Sequence, residues 1–174
     1  MKYFVKFFVV TLFLLVSTHS FAEQKIVVLD MKYVLNNSKA GKGGQEFLKK
    51  KFNNNAKKLS ELEKALKKEE TDLLKKKNVL SKEEYSQSTD LLRKKVIEYQ
   101  SQSRSSLDEL AKQRAEAREI MISKIEPILD SYISENNISL VLYKKHVIGG
   151  SKGYDITNII VEKLDKEFPS LNLQ

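Results

Sequence analysis

The chain has 174 residues, with 31 Lys plus Arg against 23 Asp plus Glu, six Gly, two Pro, two His and no Cys or Trp. Without cysteine there are no disulfides or thiolate sites, and two histidines leave almost no material for a His-rich metal site or a His-based catalytic triad. Charged residues at 31% with so little Gly and Pro exclude collagen-like and low-complexity architectures. Long regular segments are favoured, and the composition leans away from an enzyme, a cofactor or a bound metal.

The first 22 residues read as a secretory signal peptide. Lys2 and Lys6 precede an apolar run from Phe7 to Val16, and Ser20-Phe21-Ala22 places small residues at the two positions that signal peptidase reads. The run is about ten residues, short of the roughly 20 that span a bilayer. Cleavage is expected between Ala22 and Glu23, with an uncleaved membrane anchor as the weaker alternative. The mature chain then has 56 apolar residues in 152, which is 37% and low for a globule, and a net charge of +6. His146 is its only histidine and is read as a surface residue.

In chain order, Lys25 to Asp30 carries the β-branched run Ile26-Val27-Val28-Leu29, which predicts a buried strand. Met31 to Ser38 predicts a short helix or turn, ended by Asn36-Asn37 and the glycine-rich Gly41-Lys42-Gly43-Gly44, which is read as a flexible turn. No phosphate loop is present, because the Gly-x-x-x-x-Gly-Lys-Ser/Thr pattern is missing. From Gln45 to Leu80 there is no Gly or Pro. Phe52, Leu59, Leu66, Leu73 and Leu80 fall at one heptad position, and Leu48 and Leu62 at the other, interrupted by Asn55, Glu69 and Lys76. This predicts a coiled-coil helix with a polar, weakly packed seam.

Ser81-Lys82-Glu83-Glu84 has the spacing of a capping box and predicts a second helix running to about Asn136. Its seam candidates are Leu92, Val96, Tyr99, Leu107, Leu110 and Ala111, then Met121, Ile125, Ile128 and Tyr132. The two helices are expected to form a long antiparallel hairpin, kinked or broken at Pro127, where an arm gives way to a more apolar body. Ile138 to Tyr143 predicts a strand, Lys144-Lys145 a turn, and His146 to Ile148 a return strand. Asp155-Ile156-Thr157-Asn158 then caps an amphipathic helix bearing Ile156, Ile159, Ile160, Leu164 and Phe168, stopped by Pro169.

The expected organisation is a signal peptide over 1–22, a body from 23–44 and 128–174, and an arm over 45–127 with its tip near 78–84. Three strands per chain leave open edges, so an oligomer with a shared β core is expected. Basic charge is concentrated on the first arm helix and around the turn: residues 42–95 carry 16 Lys or Arg against nine Asp or Glu, whereas residues 96–137 carry five against eight. Export and the lack of a recognisable nucleic-acid motif argue against DNA or RNA as a partner, and favour acidic unfolded chains or anionic lipid.

Two segments carry a family resemblance. Lys25-Ile26-Val27-Val28-Leu29-Asp30-Met31 and the stretch from Leu140-Val141-Leu142-Tyr143 through Asp155-Ile156-Thr157 to Ile160 and Leu164 resemble the two ends of the Skp/OmpH family of periplasmic chaperones. The Lys-rich hairpin between them is similar only in kind. The resemblance implies an α+β fold in which a small β-sheet body completes a β-barrel by trimerisation. The coiled-coil arm is then inserted between strand 1 and the C-terminal β-hairpin and helix. It also implies an ATP-independent holdase that keeps unfolded outer-membrane proteins in a cavity between arms. On this basis Ile26, Val28, Leu140, Leu142, Ile159, Ile160 and Leu164 are expected to build the oligomeric body, and Lys75, Lys76, Lys77 and Lys82 to dress the arm tips. Contact with an anionic membrane or lipopolysaccharide is a further expected possibility, although no lipopolysaccharide site transfers residue by residue. The alternatives are a coiled-coil envelope scaffold without chaperone activity and an anionic-lipid-binding protein.

Overall fold

A computed structural model of the protein describes residues 24–173, so the expected leader and the cleavage expected between Ala22 and Glu23 lie outside the described residues. Lys25–Leu29 forms strand β1, as its β-branched composition dictates. Asp30 caps helix α1 (Met31–Asn37), its Oδ1 accepting the Tyr33 amide at 2.9 Å. Ser38 ends α1 and begins α2 (Lys39–Lys75). It is fully buried, and its Oγ accepts the Gly41 amide at 3.2 Å.

The glycine run is not a flexible turn. Gly41, Gly43 and Gly44 all lie in the first turns of α2, which begins six residues earlier than periodicity predicts. The reason is close approach. A Cβ on Gly41 would overlap the Leu35 carbonyl of α1, and one on Gly44 would press on Leu171 of the C-terminal segment, whereas Gly43 faces open space. The arm helix is thus seated on α1 at one glycine and under the chain's last residues at another. Asp165 adds a further tie, accepting the Lys39 amide at 2.6 Å.

Helix α2 ends at Lys75, five residues short of Leu80, and residues 76–80 close a turn in which the Lys76 carbonyl accepts the Val79 and Leu80 amides. Helix α3 (Lys82–Glu135) starts at the capping box, with Ser81 Oγ accepting the Glu84 amide and Glu84 Oε2 accepting the Ser81 amide. At 1.5 Å per residue its 54 residues extend about 80 Å, against about 55 Å for the 37 residues of α2. Helix α3 continues through Pro127, so of the kink or break expected there the break does not occur. Asn137, at φ 51°, then turns the chain into strand β2 (Ile138–Tyr143).

The expected hairpin after β2 is also corrected. Strand β2 pairs in parallel with β1, Ile26 opposite Leu140 and Val28 opposite Leu142, and the segment taken for a return strand is a 3₁₀ turn (Lys144–His146) followed by irregular chain. Among the described residues the sheet therefore has two strands, extended by an isolated bridge between Val28 and Asp155. Two adjacent parallel strands need a crossover. Here the crossover is the whole arm, out along α2 and back along α3. Helix α4 (Thr157–Glu167) and the arm root cover one face of the sheet, burying Val27, Leu29, Ile125, Ile138, Ile160 and Leu164.

The glycine contacts yield a paired test. Gly41→Ala should destabilise the fold by about 2 kcal/mol or more, because backbone on two helices must separate. Gly43→Ala should stabilise it by up to about 1 kcal/mol through helix propensity. Urea denaturation of the two variants reads both signs in one experiment.

Candidate functional site

Three surfaces stand out once the core is accounted for: the arm, its tip, and the uncovered face of the sheet. Along the arm, cross-helix pairs run antiparallel. Lys51 Nζ meets Glu109 at 2.9 Å, Asn55 Nδ2 donates to Ser106 Oγ at 2.8 Å, and Lys95 Nζ meets Glu69 at 2.6 Å. As one number rises the other falls, and the turn that joins the two helices lies at residues 76–81. Exposed ion pairs of this kind contribute at most about 1 kcal/mol each, so the arm is held loosely.

The seam is thinner than its heptads promise. On α3 the least exposed positions alternate at three- and four-residue steps: Leu92, Val96, Tyr99, Ser103, Ser106, Leu110, Gln113 and Ala117. The middle of this line is Ser103, Ser106, Leu110 and Gln113, so three polar side chains accompany the expected Leu110, while Leu107 and Ala111, also expected there, are exposed. Of the α2 seam residues only Leu48 and Leu66 are buried, while Phe52 and Leu62 turn outward. Small polar side chains thus occupy the centre of the helix pair, and several apolar ones, including Leu91, Ile97 and Leu107, point into solvent at separate places rather than in one stripe.

At the tip, Lys75 pairs with Asp72 at 3.5 Å, while Lys76, Lys77 and Lys82 make no ion pair among the described residues. Lys75 and Lys76 sit at the C-terminal end of α2, where cations complement the helix dipole. Val79 and Leu74 are exposed beside them, 83% and 59% accessible. Farther along the arm Lys67 lowers the pKa of Glu63, and at the start of α3 Ser81 lowers that of Glu84. The carboxylates Asp72, Glu83 and Glu84 stand close in sequence to the tip lysines and offset much of their charge.

The body residues expected to join copies fall into two groups. Ile160 and Leu164 are fully buried within the chain, where they hold α4 to the sheet. Ile26, Leu140, Leu142 and Ile159 are exposed and Val28 is half-buried. Strand register puts Ile26, Val28, Leu140 and Leu142 on the sheet face opposite the helices. The irregular segment 147–155 borders this face, with Ile148 completely exposed. That segment is pinned by a latch that sequence patterning did not reveal. Lys144 Nζ meets Asp155 Oδ2 at 2.7 Å, Asp155 Oδ1 accepts the Thr157 amide at 3.0 Å, and Thr157 Oγ1 accepts the Asp30 amide at 2.9 Å. Partial burial pushes the Asp155 carboxyl up, but Lys144 and the hydrogen bonds from Thr157 outweigh it and hold its pKa below the ordinary value; Lys144 is raised in return.

Among the described residues no group of three or more His, Asp or Glu is arranged to hold a metal, and no helix is long and apolar enough to cross a membrane.

The order of elements, a strand, a long helical hairpin, a parallel strand and a covering helix, is that of a known family. The pattern of the OmpH family, described as outer membrane protein (OmpH-like), matches residues 25–164. The chain belongs to the OmpH-like family. A crystal structure of an OmpH-like protein from Caulobacter crescentus superposes with a TM-score of 0.82 at 20% identity, covering 91% of this chain and 94% of that one. Among curated proteins, none matches this sequence. The shared fold is α+β with helical arms.

The latch makes a pH prediction. A carboxyl whose folded pKa is lowered stabilises the fold fully above its ordinary value of 3.8, and loses that contribution as pH falls through the lower folded value. Asp155→Asn should therefore lower the melting temperature at pH 7, and its effect should fade as the pH falls below the ordinary value of 3.8. Thermal melts of both forms across this range check the sign.

Proposed function

We propose that the OmpH-like chain is an ATP-independent holdase of the periplasm, exported through a cleaved signal peptide, that keeps unfolded outer-membrane proteins from aggregating. The Caulobacter crescentus relative is named as an outer membrane chaperone, which supports this reading by fold. The observation that carries it is the construction of the arm. Its seam is polar at the centre, and exposed apolar side chains are dispersed along it. Such a surface gives many weak contacts to a chain of unspecified shape, without a pocket for one folded partner.

Self-association completes the proposal. The bare sheet face bearing Ile26, Val28, Leu140 and Leu142 would be covered by other copies in a trimeric β body, which would set three arms around a common cavity. Ile159 would lie at its margin. The tip lysines Lys75, Lys76, Lys77 and Lys82 would act in capture, by long-range attraction to acidic segments that weakens with salt. No catalytic step is needed for holding, and no cofactor enters.

The test is turbidity after diluting a urea-unfolded outer-membrane β-barrel protein into buffer. The mature chain should suppress aggregation at about one trimer per client without ATP. Replacing the four tip lysines with Gln should slow capture and flatten its dependence on salt. Unabated aggregation in the presence of folded protein contradicts the holdase reading, and unchanged capture across salt removes the lysines' role.

A further inference from the structure

We propose that a cleft at the root of the arm binds the free carboxyl terminus of a polypeptide whose last side chains are apolar. This rests on the chaperone reading and adds to it a place where the end of a client is recognised. The cleft lies where α1, the start of α2, the body end of α3 and the end of β2 meet, and its volume of 590 Å³ is in the range of ligand sites.

Its lining divides by chemistry. Met31, Leu35, Leu48 and Met121 supply an apolar floor, and the two methionines let it adapt to side chains of different shape. Lys32, Arg114, Arg118 and Lys145 supply positive charge at the rim. None of these four is in an ion pair among the described residues, although Lys145 lies over the Tyr143 ring. Lys144 is neutralised by Asp155, and Asp30, the single carboxylate of the lining, is engaged with the Tyr33 amide. Arg114 and Arg118 are one helical turn apart on α3, both exposed, and their guanidinium forks suit a carboxylate. An apolar floor under an unneutralised cationic rim calls for a ligand that is apolar at one end and anionic at the other.

Two side chains favour a peptide over a lipid. Gln45 Nε2 donates to Asn36 Oδ1 at 2.9 Å, which leaves Asn36 Nδ2 as a donor and Gln45 Oε1 as an acceptor in the same lining. One donor and one acceptor match the C=O and N–H of one backbone residue. An acyl chain would strip water from both without replacing the hydrogen bonds.

The experiment uses two fluorescein-labelled peptides of one sequence ending in Val-Leu, the first with a free carboxylate and the second amidated, titrated with the mature protein and followed by anisotropy. The acid should bind at least about tenfold more tightly than the amide, as for loss of a charge-assisted hydrogen bond. The preference should vanish in the Arg114→Gln, Arg118→Gln variant, whose exposed side chains hold no ion pair that folding needs. Equal affinity for acid and amide overturns the proposal. So does equal affinity accompanied by variant-sensitive binding to phosphatidylglycerol vesicles, which assigns the rim to lipid headgroups. Client turbidity run in parallel separates the two readings. Suppression without acid preference retires the cleft alone, while acid preference without suppression retires the holdase and leaves the cleft.

Discussion

Everything in this molecule depends on the parallel pairing of β1 with β2. The two strands come from opposite ends of the chain, and the pairing commits all that lies between them to a single excursion out and back. Because a parallel pair cannot be closed by a tight turn, the crossover can be of any length, and here it is drawn out into the arm. The pairing also fixes which face is covered. Val27 and Leu29 turn inward to α4 and the arm root, so Ile26, Leu140 and Leu142 are left facing outward. A two-stranded sheet with one bare apolar face is not a self-sufficient unit, and the missing cover is the physical basis for assigning subunit contacts there.

The arm follows a different economy. Its root is tightly fixed: α2 is pressed on α1 at Gly41, packed beneath Leu171 at Gly44, and tied to Asp165 at its first amide. Outward from there packing thins to single leucines and polar pairs such as Asn55 with Ser106. Stability is therefore graded from body to tip, and the segments suited to yielding to a bound chain are those with least to lose. Holding an unfolded polypeptide asks for this gradient: a rigid base to set the geometry and a compliant arm to make many weak contacts.

Local chemistry was legible in the sequence and long-range geometry was not. Ser81 and Glu84 announce the start of α3 because a capping box satisfies amides within four residues. The glycines at 41–44 look like a turn because their purpose is tertiary, to admit the Leu35 carbonyl and the Leu171 side chain. Lys144-Lys145 looks like a hairpin turn for the same reason: β2 finds its partner more than a hundred residues back, and no short window contains both. In the seam, preference for apolar residues points to Leu107, Leu110 and Ala111, whereas strict helical spacing keeps Leu110 and selects Ser106 and Gln113 beside it. Among the candidate body residues, Ile160 and Leu164 were recognisable as apolar, but only the packing of α4 shows that they are internal. The cleft at the arm root was not legible, since Lys32, Arg114 and Lys145 are unremarkable until four elements converge.

The central claim is that the uncovered face of the β1–β2 pair is the surface on which copies assemble. Light-scattering chromatography of the chain from Glu23 onward, beside a Leu142→Glu variant, tests it most directly. The account predicts three times the chain mass for the parent. For the variant it predicts loss of the trimer, because a charge would be buried unpaired at the interface. A folded parent that elutes at the mass of one chain over a wide range of concentration, or a Leu142→Glu form that remains trimeric, would contradict it.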